Sequence, residues 1–301
     1  MDTSNIFKCC TLCPRMCHVD RTSGSGFCGA GDRIIAAKAY LHKWEEPCIS
    51  YKNGAGTVFF SGCSLHCVFC QNNTISNENY GKELSVDELA DVFLRLRDNG
   101  ADNIELVTPT HFVPLIISAL DKVLHKLGIP VVYNSGGYEL TDTIAMLDGY
   151  IDVYLPDIKY FSPEVSKRYC GAADYFERAS QAVTAMIKQV GSLSFNSEGG
   201  LEKGTIIRHL VLPSHRHDSM DIMKWIAENT SKDDVLISIM NQYTPFDFIS
   251  DEFPELKRRI TKMEYNSVVR YASELGLDGF TQERSSASDK YVPDFDLSGL
   301  T

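Results

Sequence analysis

Three cysteines fall within eight residues at Cys63-Ser-Leu-His-Cys67-Val-Phe-Cys70. Thiols at this spacing support three chemistries: a disulfide, a zinc centre, or an iron–sulfur cluster. Structural zinc takes four closed ligands, and this loop supplies three thiols. His66 is the other ligand type present, but it stands between Leu65 and Cys67, and so tight a loop strains to turn all four side chains inward. A cubane cluster takes one thiolate per iron. Three thiolates then hold three irons and leave the fourth with an open position, where a small molecule can be chelated.

A second group crowds the first thirty residues: Cys9, Cys10, Cys13, Cys17 and Cys28. Cys10, Cys13, Cys17 and Cys28 supply four thiolates, enough to close a tetrahedral zinc site or to saturate a second iron–sulfur cluster. Cys9 is an alternative to Cys10. The spacing contains one C-x2-C pair where zinc ribbons use two, and a thiol-rich segment without metal is the remaining reading. Cys48 and Cys170 stand alone and read as small buried hydrophobes. The ten cysteines accompany neither a signal-peptide pattern nor an apolar run long enough to span a membrane. Cytoplasmic surroundings are therefore expected, with metal binding favoured over disulfides. A net charge of -11 repels phosphate backbones, so neither nucleic acid nor a membrane is an expected partner.

These thiols must be positioned by a scaffold. Short apolar, β-branched runs at 57–60, 104–108, 130–133, 151–155, 206–212 and 235–240 read as strands. Segments of helical period lie between them at 86–99, 113–127, 140–147 and 175–189, the first opened by Ser85 with Glu88 three residues on. Strands alternating with helices predict a parallel α/β sheet, because parallel neighbours need a crossover. The expected architecture is a partial (β/α)6 barrel over 54–283, a Cys-rich metal-binding extension over 1–53 and a polar surface tail over 284–301. The first strand runs straight into Ser61-Gly62-Cys63, which places the three-cysteine loop at the C-terminal edge of the sheet, where such folds carry their chemistry.

The other strand ends supply polar groups at Thr108-Pro-Thr110-His111, Asn134-Ser-Gly136-Gly137-Tyr-Glu139, Asp157-Ile-Lys159 and Asn241-Gln-Tyr243. Gly136 and Gly137 offer backbone freedom and N–H groups at a helix start, or form a plain turn. Asp157 and Lys159 lie two apart and share a face. Arg208 lies among Ile206, Ile207, Leu210 and Val211, and a guanidinium buried there needs an anionic partner. His111 and His209 read as structural histidines. In His42-Lys-Trp44-Glu45-Glu46-Pro47, the two carboxylates either line a substrate entrance or belong to a surface cap over which Trp44 packs.

The C-x3-C-x2-C spacing, with aromatic Phe69 just before the third cysteine, resembles the signature of the radical S-adenosylmethionine (SAM) superfamily. That resemblance implies a [4Fe-4S] cluster on Cys63, Cys67 and Cys70, SAM chelated at the open iron, and reductive cleavage to a 5'-deoxyadenosyl radical. Residues 10–245 look most similar to pyruvate formate-lyase activating enzymes through "CTLCPRMC", "HKWEEP", "FFSGCSLHCVFCQN", "LVTPTH", "NSGGYE", "DVYLPDIKY" and "IRHLVLP". By the same resemblance Asp157, Lys159 and Arg208 lie near SAM, and Lys159 joins the three cysteines in the catalytic set. Thr108-Pro-Thr110 stands where the family usually has the Gly-Gly-Glu that meets the methionyl amine. The expected cofactor-binding residues are Phe69, Thr108, Thr110, Asn134, Gly136, Gly137, Asp157, Lys159 and Arg208. The implied partners are SAM, an electron donor such as flavodoxin or ferredoxin, and a protein or peptide substrate, foremost a glycine of a glycyl radical enzyme. Another peptide or a small molecule is the alternative substrate. An iron–sulfur electron carrier and a zinc-binding interaction protein are the alternatives of another class.

Overall fold

The computed structural model describes residues 4–282 and 293–301. In chain order the strands are β1 (Ile34–His42), β2 (Ala55–Phe60), β3 (Lys82–Leu84), β4 (Ile104–Val107), β5 (Val131–Ser135), β6 (Val153–Pro156), β7 (Ser194–Phe195), β8 (Leu201–Leu210), β9 (Val235–Met240) and β10 (Gly279–Thr281). They form one sheet in the order β10-β9-β8-β6-β5-β4-β2-β1-β3, with β7 paired to β8. The six expected strands are β2, β4, β5, β6, β8 and β9, and every neighbouring pair among them is parallel. The path does not close on itself, so the fold is a partial α/β barrel. β10 extends the parallel run beyond β9.

Parallel pairing dictates the rest. Helices Val86–Asp98, Val113–Leu127, Tyr175–Val190 and Arg216–Asn229 supply crossovers. Ser85 and Glu88 form the capping box legible in the sequence, and Gly128 ends the second helix at φ 63. With helices packed on the sheet, β2, β4, β5 and β6 are buried at every position, which is why their sequences are apolar runs rather than alternating ones.

Two expectations about the ends of the chain require correction. The first 53 residues are not a segment apart from the sheet, because nine-residue β1 pairs antiparallel with β2 and also with β3. Residues 293–301, read as part of a surface tail, lie along β1 instead. Leu297 N–H donates to Ala37 O at 3.0 Å, Ala39 N–H donates to Ser298 O at 3.0 Å, and Leu300 is buried. Residues 284–292 of that expected tail fall outside the described residues.

His209 is structural, as its sequence context suggests, while His111 is buried with Nε2 2.8 Å from Ser61 O and Nδ1 unpartnered among the described residues. His209 on β8 is buried, with Nδ1 2.6 Å from Ile158 O and Nε2 2.8 Å from Ser219 Oγ. Burial pushes its imidazole down to about 4. An unfolded imidazole takes its proton near pH 6.5, so the stability tied to neutral His209 is complete above that pH and is lost as pH falls toward 4. The full loss is roughly 3 kcal/mol. Buried His42 and His111 are shifted the same way. Urea titrations are therefore expected to show a midpoint that falls between pH 7 and pH 5, with a shallower fall in His209→Gln. An unchanged slope in that variant would refute the assignment.

Candidate functional site

The C-terminal ends of the parallel strands surround a cavity of about 520 Å³. Cys63, Cys67 and Cys70 all line it, delivered by the loop that follows β2. Gly62 makes the loop possible: its φ is +91°, and a Cβ there would sit 2.5 Å from Cys28 O. The Cys63 N–H donates to that same carbonyl at 3.2 Å. Arg15 adds a clamp, donating to the carbonyls of Ser64 at 2.8 Å, Gly171 at 2.9 Å and Cys170 at 2.7 Å. The Cys-rich segment thus holds the loop in place.

His66 does not join the three thiols. Its Nδ1 lies 2.6 Å from Asn77 Oδ1 and its Nε2 lies 2.9 Å from Phe27 O, so both ring nitrogens are engaged outside the cavity. Cys170 lies beside Cys67, but its thiol donates to Ser166 O at 3.0 Å and it does not line the cavity. The loop therefore offers three sulfurs. Burial pushes the Cys63 thiol up to about 12 and raises Cys70 as well. A bound metal centre is what holds buried thiols of this kind as thiolates. Among the described residues no three His, Cys, Asp or Glu side chains close around a single ion position. Three sulfurs lining one cavity without closing on a single point fit a multi-iron cluster better than a lone ion.

The same cavity is lined by a polar network centred on Arg208 of β8. Its Nε donates to Asp157 Oδ1 at 2.8 Å, Nη1 to Glu45 Oε2 at 3.0 Å and Nη2 to Asn134 Oδ1 at 2.6 Å. Asn134 Nδ2 donates onward to Glu105 Oε1 at 2.7 Å, and Thr57 Oγ1 donates to Glu105 Oε2 at 2.6 Å. Lys159 Nζ donates to Asp157 Oδ2. Burial opposes charge on Asp157, but Arg208 and then Lys159 outweigh it and hold the carboxyl below its usual range. Burial and then Glu105 push Glu45 well above its range. Arg208 thus feels Asp157, Glu45, Glu46 and Glu105 together. A cationic ligand entering the cavity would relieve this crowding of carboxylates.

Of the residues expected at the cofactor, Phe69, Thr108, Asn134, Gly136, Asp157, Lys159 and Arg208 line the cavity. Gly136 packs against the cysteine loop, where a Cβ would lie 2.7 Å from Leu65 Cδ1 and would push that side chain aside. Thr110 and Gly137 do not line it. Thr110 is buried in a short 3-10 turn, and its hydroxyl donates to Glu139 Oε1 at 2.6 Å. Gly137, at φ +75, packs against Asp157, where a Cβ would meet the backbone carbonyl at 2.3 Å. The helix expected over 140–147 spans Thr141–Met146, so Gly136 and Gly137 precede its start rather than form it, and the Gly137 N–H donates to Ser135 Oγ at 3.3 Å. Trp44, Glu45 and Glu46 all line the cavity, and Trp44 is 66% exposed rather than packed down. Sequence reasoning missed Glu105. Its signal was present: a lone carboxylate inside the buried four-residue strand β4.

Comparison with known proteins agrees with this geometry. Residues 57–239 match the family described as the Radical SAM superfamily. The chain is 32% identical over 287 residues to uncharacterized protein MJ0674 of Methanocaldococcus jannaschii, covering 91% of this chain and 77% of that protein. It is 24% identical over 176 residues to the pyruvate formate-lyase-activating enzyme of Clostridium pasteurianum, covering 56% of this chain and 66% of that enzyme. Streptococcus suis SuiB shares the fold, with a TM-score of 0.50 and 13% identity over 76% of this chain and 48% of the SuiB chain. Since the family match extends over more than half of its length, this chain belongs to the radical SAM superfamily.

Proposed function

We propose that the chain cleaves SAM reductively at a [4Fe-4S] cluster held by Cys63, Cys67 and Cys70, and that the hydrogen it abstracts comes from a glycine of a protein partner. The observation that carries this reading is the sharing of one cavity by three thiols and the Asp157–Lys159–Arg208 network, while His66 is tied outside it. When bound, the cluster and SAM supply the one-electron reduction and the 5'-deoxyadenosyl radical.

The chain's own residues do the positioning. Arg208 commits three of its five N–H donors to Asp157, Glu45 and Asn134, so it orients these groups and keeps a donor on each Nη at the cavity wall. Asn134, Thr108 and Gly136 stand at strand ends on the cavity wall and are placed to contact SAM. Lys159, steered by Asp157, presents a cation close to the thiols and feels the charge of Cys67. The glycine substrate is supported by the similarity to a pyruvate formate-lyase-activating enzyme. The electron comes from a low-potential carrier of the flavodoxin or ferredoxin kind.

The test uses anaerobic, cluster-loaded chain with SAM, dithionite and a glycyl-radical-loop peptide deuterated at the glycine Cα. Deuterium in the released 5'-deoxyadenosine supports the proposal. Unlabelled 5'-deoxyadenosine would move the substrate to another peptide or a small molecule. No release at all would leave an electron carrier or a zinc-binding protein as the surviving readings.

A further inference from the structure

The Cys-rich segment before β1 gathers thiols that the proposed chemistry does not use. Cys10 and Cys28 are buried at 5% and 6% exposure, and Cys13 and Cys17 are half-buried. A Cβ at Gly26 would lie 3.4 Å from Cys17 Sγ and 3.6 Å from Cys28 Sγ, so these two sulfurs flank one point. Cys28 also lies within electrostatic reach of Cys10, Cys13 and Cys17, and Cys13 within reach of Cys10. Backbone bonds close the loop that carries them, with Cys10 N–H donating to Val19 O and His18 N–H to Cys10 O, each at 3.0 Å. Cys9 is exposed and faces His18 Nδ1 at 3.4 Å, so Cys10 is the member turned inward.

An independent observation concerns charge. Arg21 is 1% exposed, and its guanidinium donates to the carbonyls of Ala30, Gly31 and His111 and, at 3.6 Å, to Cys10 Sγ. No carboxylate stands among these partners. A guanidinium this deeply buried calls for an anion, and the sulfur it touches belongs to the four-thiol group.

We infer that Cys10, Cys13, Cys17 and Cys28 hold a second iron–sulfur cluster, whose anionic thiolate shell neutralises Arg21. Loading replaces four S–H protons with four S–Fe bonds to a preformed iron and sulfide core, so no net oxidation is needed. The sulfurs do not close around a single ion position, which is the geometry zinc requires. A cubane instead takes one thiolate at each of its irons, farther apart than ligands of one ion. The site adjoins the catalytic loop through Cys28 itself, whose carbonyl accepts the Cys63 N–H at 3.2 Å. The assignment stands apart from the reading of the Cys63 loop.

The full chain, loaded anaerobically by ligand exchange from a preformed [4Fe-4S] cluster carried on a small thiol, is expected to carry about eight irons, two cubanes' worth. Cys63→Ala/Cys67→Ala/Cys70→Ala should retain about four irons, with a reduced EPR signal that SAM leaves unchanged. Cys13→Ala/Cys17→Ala should also retain about four, with a signal that SAM reshapes. Cys9→Ser should lose none. Cys13→Ser guards against collapse of the segment: a native circular dichroism spectrum with an altered signal of the SAM-insensitive cluster reports ligand exchange rather than unfolding. The inference is overturned if the triple variant holds no iron, if it holds zinc instead, or if Cys13→Ala/Cys17→Ala keeps the full iron content. Failure of the Cys63 reading would look different, as full iron content in the triple variant.

Discussion

Cys63→Ala/Cys67→Ala/Cys70→Ala is expected to release no 5'-deoxyadenosine above background in the presence of SAM and dithionite. Enzymes commonly exceed the uncatalysed rate by about 10⁶-fold or more, and the proposed function routes that advantage through the cluster these three side chains would hold. No neighbour is free to substitute. His66 has both ring nitrogens engaged by Asn77 and Phe27 O, and Cys170 donates to Ser166 O. Liquid chromatography with mass detection measures the product directly. Turnover within tenfold of the wild-type chain would overturn the assignment of the loop.

Asp157→Ala is expected to be strongly destabilising. It leaves Arg208 and Lys159 facing one another, largely buried, without the carboxylate that accepts from both. Breaking a buried pair by removing one partner costs about 3–5 kcal/mol. Asp157→Asn keeps the shape and one acceptor and should cost less. Equilibrium urea unfolding at pH 7 measures the difference. A loss below about 1 kcal/mol for Asp157→Ala would place the network in the class of solvated surface pairs.

The parallel core was legible because buried strands leave continuous apolar runs, and the thiol loop because its spacing is sequential. β1 was not. Its sequence, Ile-Ile-Ala-Ala-Lys-Ala-Tyr-Leu-His, has too many alanines and too weak an alternation to stand out beside a cysteine-rich segment. The docking of residues 293–301 on β1 depends on contacts more than 250 positions away, which no local pattern encodes. Thr110 and Gly137 illustrate a finer limit. Thr108 at φ +57 and Gly137 at φ +75 redirect the chain just past the strand ends, so the alternation that aims side chains within a strand no longer holds there. The pairing of Arg208 with Glu45 spans 163 positions, and the sequence showed only that the guanidinium needed some anion.

Arg15 binds three carbonyls from two separate stretches of the chain, and its guanidinium stacks 4.1 Å from the centre of the Phe27 ring. The alternating strands and helices are therefore not a transplantable unit. A chimera that grafts another protein's leader onto this barrel would lose the keystone beneath Ser64, so leader and loop must be exchanged together for either to keep its shape.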